Sequence, residues 1–307
     1  MGNADFWVAV IAGAFALCAP VLYAGLGEIF LERAGGFNVG IEGMMLVGAV
    51  TAVIGSLAGG FWVGLLAGIL AGALLGLLLG LATTRGRADT IIVGVALGLL
   101  GAGLSTALYQ VLVAGGGNVT APTQPVLRLE FLAWIPLIGP GLADAGFLFY
   151  LAVALILVSA WTLRATRLGL RLRAVGDSPV IAAERGLSLD GYRTVAAVIA
   201  GALAGLGGAA VTLSGIGTFT PGMTGGAGFI ALAVVIIARR RPLGLLAGAL
   251  LFALFNSLAL LAQTQDLGLP IELYQALPYL VTLLILAVAS RRRWRLDRLR
   301  ATPAAAH

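Results

Sequence analysis

The stretch RATRLGLRLRAVGDSPVIAAERGLSLDGYR, residues 164–193, interrupts a chain that is otherwise almost entirely apolar. It carries six arginines between two long apolar runs, so we expect it to lie in water. Positive charge beside membrane spans marks the cytoplasmic side of a membrane protein. This segment, here called the arginine loop, therefore predicts the orientation of every span before and after it.

A short helix is predicted inside the arginine loop. Asp177 or Ser178 is suited to cap its N-terminus, Pro179 to its first position, and Gly186 to the residue just beyond its end. We expect about two turns, over residues 179–185, lying across the inner face of the membrane and shaped to sit in a groove on another protein. The alternative interpretation is an ordinary solvated loop without a partner.

The composition places the chain among membrane proteins. Of its 307 residues, 60% are hydrophobic and 10% are charged, whereas soluble domains contain about 25% charged residues. The predicted fold class is all-α, a polytopic helical membrane protein with about 9–10 transmembrane helices, each needing roughly 18 or more apolar residues. Residues 1–307 are predicted to form a single transmembrane domain, because no loop reaches the roughly 50 residues of a small soluble domain.

Two polar, glycine-rich breaks interrupt the apolar pattern, EIFLERAGGFNVGIEG at 28–43 and GIGTFTPGMTGG at 215–226. Irregular backbone cannot face lipid, so each break must face water or a protein-lined cavity. An outer loop is predicted at 115–146 and a basic cytoplasmic tail at 291–307. The predicted spans cover residues 6–26, 44–57, 61–82, 90–113, 147–163, 194–214, 229–238, 243–262 and 274–289.

The arginines support this topology. The chain has no lysine, and every arginine except Arg128 falls on the predicted inner side. A bias of this kind is hard to obtain with the wrong topology. It predicts an N-terminus outside and a C-terminus in the cytoplasm. If the first break were a discontinuous helix within the membrane, the number of crossings would change.

Small residues form a second pattern. Glycine occurs at every fourth position from Gly60 to Gly80, which predicts a stripe along which another helix packs closely. The pentapeptide GLLAG at 64–68 recurs at 244–248, on spans of opposite predicted direction. Inverted repeats with broken helices are typical of transporters with a site near the membrane midplane. A chance match between apolar segments is the alternative.

The residue inventory excludes several kinds of chemistry. Cys18 is the single cysteine and His307 the single histidine, so we predict no catalytic residue, no metal site and no disulfide. A phosphate-binding loop of the GxxxxGK[ST] type needs a lysine, so we expect no ATP hydrolysis by this chain. The arginines that produce the net charge of +6 lie at the ends of the predicted spans. This position favours contact with membrane lipid and argues against a nucleic-acid partner.

Acidic residues bear on whether the chain could drive transport by itself. None of the 13 acidic residues falls inside a predicted span. Coupling to protons or sodium through buried carboxylates therefore has only Glu28, Glu32 and Glu42 as candidates. We expect the energy for any transport to come from outside the chain.

Three blocks of sequence resemble a known family. ERAG at 32–35 with NVGIEGMM at 38–45 closely resembles the signature of permease subunits of bacterial ABC importers, in the branch that handles simple sugars and nucleosides. LRAVGDSP at 172–179 resembles the coupling loop of that family, and TFTPGM at 218–223 with GFIAL at 228–232 continues the match. Gly98 departs from the pattern, because relatives often carry asparagine there, and puts a polar solute contact at that position in doubt.

The resemblance implies partners and a location. It implies an ABC ATPase pair that uses the ATP and grips the short helix, a second permease subunit (homodimer or heterodimer), and an external solute-binding protein. This chain itself would hold no cofactor and would be a multi-pass protein of the bacterial inner membrane. The coupling loop would be residues 164–193, with its contacts at Gly176, Asp177, Ser178, Pro179, Ala182, Ala183, Glu184, Arg185 and Gly186.

For the solute path, polar groups at the two breaks are the candidates. They are Asn38 and Glu42 in the first break and Thr218, Thr220 and Thr224 in the second, because a nucleoside or sugar needs a few polar partners in an apolar channel. Alternatively, Glu42 only caps the second span, which stabilises a helix by about 0.3–1 kcal/mol, and the threonines bond to their own helices.

Two other functions have different requirements from an importer permease. A self-sufficient secondary transporter or channel for a small polar solute would need no ATPase. An intramembrane enzyme would need paired carboxylates, a histidine or a serine dyad at one depth, and the sequence shows none.

Overall fold

The structure is a computed structural model that describes residues 3–112, 120–125, 127, 129, 131, 134–135 and 138–263. These residues form helices joined by short connections. The helices are α1 (Asn3–Arg33), α2 (Ile41–Gly59), α3 (Phe61–Thr84), α4 (Thr90–Leu112), α5 (Gly139–Ala143), α6 (Gly146–Ala165), α7 (Arg167–Asp177), α8 (Pro179–Glu184), α9 (Leu189–Leu213), α10 (Ala227–Ile237) and α11 (Pro242–Gln263).

The helices confirm the predicted class of an all-α polytopic membrane protein. Seven helices of the described part are long and apolar enough to cross a membrane, namely α1, α2, α3, α4, α6, α9 and α11. Helix α10 is apolar but shorter. The predicted span at 274–289, the basic tail at 291–307, and Arg128 lie outside the described residues. The single-domain assignment stays a prediction.

The prediction that helix structure is lost from Glu28 onward is wrong. Helix α1 continues to Arg33, so that Glu28 and Glu32 lie inside it and the first break covers only residues 34–40. The predicted absence of acidic residues from the spans is wrong for the same reason. Glu28 is fully buried, and its carboxylate accepts a hydrogen bond from the backbone N–H of Asn38 at 3.0 Å. This partner replaces water and lets the helix continue.

The arginine loop is more ordered than predicted. Helix α7 was not predicted. It is capped by Thr166, whose hydroxyl accepts a hydrogen bond from the backbone N–H of Gly169. Helix α9 begins five residues before the predicted span, because Ser188 caps it by accepting a hydrogen bond from the backbone N–H of Gly191. Ser, Thr, Asp and Asn are the favoured capping residues, and Asp190 adds negative charge to the first turn of α9.

The helices form two triplets of opposite direction. Gly72 of α3 packs on Gly201 of α9 while Gly80 packs on Thr194, so α3 and α9 are antiparallel. Helices α1 and α11 are also antiparallel, with Gly13 against Ser257 and Gly25 against Leu245. Helix α1 is antiparallel to α9 too, since its later residues meet earlier residues of α9. The triplets α1–α3 and α9–α11 are therefore inverted, as the repeated GLLAG pentapeptide predicted.

The glycine stripe of α3 packs directly on the backbone of α9. A Cβ atom on Gly72 would lie 2.7 Å from the Cα of Gly205, and a Cβ on Gly76 would lie 3.0 Å from the Cα of Gly201. Neither position leaves room for a side chain, which confirms the predicted packing stripe from Gly64 onward, whereas a Cβ atom on Gly60 would have no neighbour within 4 Å. Such close approach maximises van der Waals contact where lipid supplies no hydrophobic driving force. Helices α3 and α9 can therefore move as one body.

The connections gather at two ends of the helix bundle. At the arginine end, the Arg33 guanidinium donates to the carbonyl oxygen of Arg240 at 3.0 Å, and Arg240 lies 3.8 Å from the carboxylate of Glu32. At the opposite end, Gln124 of the predicted outer loop bonds to the end of α9 and to the start of α6. Its side chain donates to the Ser214 carbonyl at 2.7 Å and accepts from the Leu148 N–H at 3.0 Å.

Candidate functional site

Glu42 joins the two helix breaks. It lies in the first turn of α2, and its carboxylate accepts hydrogen bonds from the backbone N–H groups of Gly226 and Gly228, at 2.9 and 2.7 Å. The hydroxyl of Thr224 donates to the same carboxylate. Because the N-terminus of a helix carries partial positive charge, this one carboxylate stabilises the start of α2 and the start of α10 together.

Asn38 closes the first break from within. The residue is fully buried, and its side-chain oxygen accepts a hydrogen bond from the backbone N–H of Gly40 at 2.9 Å. Its amide nitrogen contacts the sulfur of Met44 at 3.3 Å. These bonds use the side chain locally, so its role in this conformation is structural. Contact between Asn38 or Glu42 and a solute stays a prediction.

The second break was predicted at 215–226 and covers residues 214–226 in the structure, where an aromatic contact and a glycine fix its conformation. Phe219 is fully buried and packs against Tyr109 of α4, with ring centroids 5.5 Å apart. Thr218 is half-buried, Thr220 is exposed and Thr224 is buried. Gly226 has a φ of +82° immediately before α10, a left-handed conformation that favours glycine. The turn at Gly226 orients the backbone N–H groups at the start of α10 toward the Glu42 carboxylate.

A cavity of about 660 Å³ lies beside the second break. It is bounded by the middle of α1, the end of α9, the break itself, the start of α10 and the second half of α11. Of the five predicted solute-path residues, Thr224 lines it, whereas Asn38, Glu42, Thr218 and Thr220 are not among its lining residues. The volume falls within the range of small-molecule pockets, about 300–1,000 Å³.

Sequence reasoning missed three polar side chains that line the cavity. They are Ser214 at the end of α9, and Asn256 and Gln263 on α11. A signal for Asn256 was present, because it is a carboxamide within an otherwise apolar helix, and polar residues inside membrane spans are commonly functional. Hydropathy alone could not show that Asn256 lies beside the second break.

The arginine loop contains helices α7 and α8, and α8 confirms the short helix predicted at 179–185. Helix α8 covers Pro179–Glu184, and Gly186 has a φ of +76° just beyond its end. Ser178 occupies the capping position, but its side chain accepts no hydrogen bond from α8. On α8, Val180 and Ile181 are 70% and 57% exposed. Two adjacent exposed apolar side chains on a helix that lies outside the spans suit a protein partner.

The predicted coupling residues occupy neighbouring positions at the arginine end. Their contacts with an ATPase stay a prediction. Gly176 and Asp177 end α7, Ser178 links it to α8, Pro179, Ala182, Ala183 and Glu184 lie in α8, and Arg185 and Gly186 follow it.

The end of α7 touches the start of the first break. A Cβ atom on Gly176 would lie 2.9 Å from the backbone nitrogen of Gly35. The Arg193 guanidinium, at the start of α9, donates to the carbonyl oxygen of Ala34 at 3.4 Å. The arginine loop therefore contacts the first break on both sides of α8, through Gly176 before it and Arg193 after it, so a displacement of α8 would act on segments that touch this break.

Within the described ranges, no three or more His, Cys, Asp or Glu side chains are grouped so that they could hold a metal ion.

Gly98 lies where α2 and α4 pack together. A Cβ atom on Gly43 of α2 would lie 2.7 Å from the Cα of Gly98 on α4, so the packing requires glycine at position 43. A Cβ atom on Gly98 would lie 3.7 Å from the Cα of Gly40, an ordinary van der Waals contact, so this packing does not fix the residue that departs from the family pattern. Gly98 contributes no polar side chain.

The chain is similar to permeases of known transport systems. It is 34% identical to the nucleoside ABC transporter permease protein NupC of Lactococcus lactis subsp. cremoris, over 91% of this chain and 91% of that protein. It is 35% identical to the putative glucose ABC transporter permease protein TsgC13 of Haloferax volcanii, over 81% and 76%. It is 32% identical to the guanosine ABC transporter permease protein NupQ of Bacillus subtilis, over 90% and 90%.

A family profile covers nearly the whole chain. It matches residues 10–286 and is described as the permease component of a branched-chain amino acid transport system. No solved structure matches the chain. With its inverted helix triplets and broken helices, the chain is a member of this family of transport permeases.

Proposed function

We propose that this chain is the membrane-spanning subunit of an ATP-driven importer that moves a nucleoside or a simple sugar into a bacterial cytoplasm. Its partners are an ABC ATPase, a second permease subunit and an external solute-binding protein. The observation that carries the proposal is α8, a short helix at the arginine end whose Val180 and Ile181 are exposed. The names of the relatives support an importer of this type.

The arginines support the proposed orientation. Arg33, Arg193 and Arg240 contact one another's segments at one end of the bundle, and positive charge favours the cytoplasmic side. In this orientation α8 faces the cytoplasm, where an ATPase is available, and the C-terminus is cytoplasmic. The cavity lies toward the opposite, external half of α11.

The packing supports a route for coupling. A partner that closes on ATP would displace α8, and this movement would pass to α9 through the short connection over residues 185–188. Because α9 packs against the backbone of α3, both helices would move together. Their displacement would change the geometry of the breaks and open or close the cavity. The ATP itself would be bound and hydrolysed by the partner, since this chain lacks lysine.

Reconstitution tests this proposal. The purified chain is placed in liposomes with or without the ATPase, the second permease and the solute-binding protein encoded with it. We expect accumulation of labelled solute only when all components and ATP are present. Accumulation by the chain alone would contradict the proposal and indicate the self-sufficient transporter.

The burial of Glu28 favours the second function, that of a self-sufficient transporter. Its carboxyl group is fully buried in α1, and one of its oxygens has no hydrogen-bond partner among the described residues. Buried carboxylates serve as proton relays in transporters. A pH gradient applied to liposomes that contain only this chain would drive uptake if Glu28 carried protons, and Glu28→Gln would abolish that uptake.

A further inference from the structure

We propose that the cavity beside the second break accepts a nucleoside in preference to a sugar, and that Asn256 and Gln263 on α11 determine this specificity. The inference rests on the proposed import function and chooses between the two solute classes that it leaves open. Neither residue was among the sequence candidates, and both line the cavity.

The charge of the lining restricts the solute. None of the described residues that line the cavity is Asp, Glu, Arg or Lys. A charged group buried without a partner is costly, because it loses its hydration and gains nothing in return. Amino acids, nucleotides and sugar phosphates all carry charge. The cavity therefore suits a neutral solute.

Few polar side chains are available to such a solute. Among the described lining residues, the polar side chains are those of Ser214, Thr224, Asn256 and Gln263. The Thr224 hydroxyl already donates a hydrogen bond to Glu42. The side chains of Asn256 and Gln263 make no hydrogen bond with other described residues. A carboxamide offers both a donor and an acceptor, so these two groups can pair with the donors and acceptors of a solute.

The two carboxamides are spaced so that they can form hydrogen bonds with the two ends of an elongated molecule. They are seven residues apart on α11, which corresponds to about 10.5 Å along a helix and to nearly the same side of it. A nucleoside carries polar groups on the edge of its base and, at the other end, on its ribose. One carboxamide can pair with the base edge, as asparagine does with adenine, while the other pairs with the ribose hydroxyls.

The other described residues that line the cavity are apolar or glycine. Leu17 and Val21 of α1, Ile230 of α10 and Phe252 of α11 line the space beside the carboxamides. The two flat faces of a nucleobase can be buried against such side chains without loss of hydrogen bonds. A hexose carries hydroxyl groups around its whole ring, and several would stay unpaired in this cavity. Because each unpaired buried hydroxyl weakens binding, the walls disfavour a sugar.

Ligand-dependent thermal unfolding of the full chain, purified in lipid nanodiscs, tests the inference. The probes are adenosine, uridine, D-glucose and L-leucine. We expect both nucleosides to raise the Tm in a concentration-dependent way, with no shift for glucose or leucine. The Asn256→Leu variant has a similar shape but no carboxamide, and it should weaken the nucleoside response about tenfold, as expected for one lost hydrogen-bonding group.

Matched variants separate specificity from folding. Leu251→Ala changes an exposed residue on the same helix and should leave the nucleoside response unchanged. Gln263→Leu should weaken it as Asn256→Leu does. If Asn256→Leu does not fold, Asn256→Gln and Gln263→Leu provide the same comparison, since one keeps a carboxamide and the other removes one.

The outcomes also separate this inference from the import function. A Tm shift with glucose alone, or a nucleoside shift that Asn256→Leu and Gln263→Leu leave intact, would overturn the inference without affecting ATP-driven import. A shift with leucine would overturn the argument from charge. The absence of any shift with all four probes would overturn the assignment of this cavity as a solute site. Import itself is judged separately, by ATP-dependent uptake in the reconstituted system.

Discussion

The carboxylate of Glu42 accepts a hydrogen bond from the backbone N–H of Gly228 at 2.7 Å, although the two residues are 186 positions apart. This bond joins the two inverted triplets where their broken helices begin. A Cβ atom on Gly228 would lie 2.8 Å from the backbone nitrogen of Glu42, so only glycine fits there. The start of α2 and the start of α10 are thus held together by one charged side chain.

Glu42→Gln should destabilise the fold. The amide has a single acceptor oxygen, and its NH₂ group would face a backbone N–H that also donates. One buried N–H is then left unsatisfied, at a cost of about 1–3 kcal/mol. The Tm of the purified protein should fall by several degrees. Glu184→Gln, on exposed α8, is the control and should leave the Tm unchanged; equal Tm values for both variants and wild type would contradict the role of Glu42.

Gly72→Val should prevent α3 from packing on α9. The side chain would collide with the backbone of Gly201 and Gly205, neither of which can move without separating the helices. Overpacking of this kind typically costs about 1–3 kcal/mol and can cost more. Gly103→Val is the matched control, since a Cβ atom there has no neighbour within 4 Å. Size-exclusion profiles and Tm should show loss of folded protein for the first variant only.

Ile181→Asp should uncouple the transporter without unfolding it. The side chain is 57% exposed, so its replacement leaves the internal packing intact. Burial of an isoleucine against a partner contributes about 1.5–3 kcal/mol, and its loss should weaken ATPase binding at least tenfold. Co-purification of the ATPase and ATP-driven uptake measure the effect. Ile181→Val, which removes one methylene group, should retain most of both, and normal uptake by Ile181→Asp would exclude this contact.

Gly176→Pro and Glu184→Arg should also uncouple transport while the protein still inserts. Gly176 packs against the first break, so proline there would disturb α7 and its contact with Gly35. Glu184 is exposed at the end of α8, and a reversed charge would repel a partner that matches it. Membrane abundance and uptake are measured together. Normal uptake by both variants would count against a coupling role for this segment.

Cysteine labelling can decide the orientation. The single natural cysteine, Cys18, is buried, so Cys18→Ala provides a background with no thiol. In intact cells, a membrane-impermeant maleimide should label Thr120→Cys, at the exposed opposite end, and should not label Ser178→Cys. Both should react after the cells are opened. Labelling of Ser178→Cys from outside would show that the topology is the reverse of the proposed one, and it would exclude a contact between α8 and a cytoplasmic ATPase.

Much of the fold was predictable because hydropathy, glycine spacing and helix caps are local properties. The positions of the spans, helix α8, the glycine stripe of α3 and the inversion of the two triplets all follow from such patterns. The same approach failed where a polar side chain is satisfied by tertiary contacts. Glu28 was predicted to lie beyond the end of the first span because it is polar. In the structure, neighbouring helices bury Glu28, and its carboxylate accepts a hydrogen bond from Asn38 in the break.

The amino-acid sequence by itself determined that the chain crosses a membrane many times, which end carries positive charge, and which helices must approach closely. It did so because the bilayer imposes strong, local constraints on length and polarity. Only the tertiary structure decided that Glu42 caps α10 and that Asn256, rather than Asn38, lines the cavity. These roles depend on which helices pack together, and a side chain separated from its partner by 186 residues carries no local sign of that pairing.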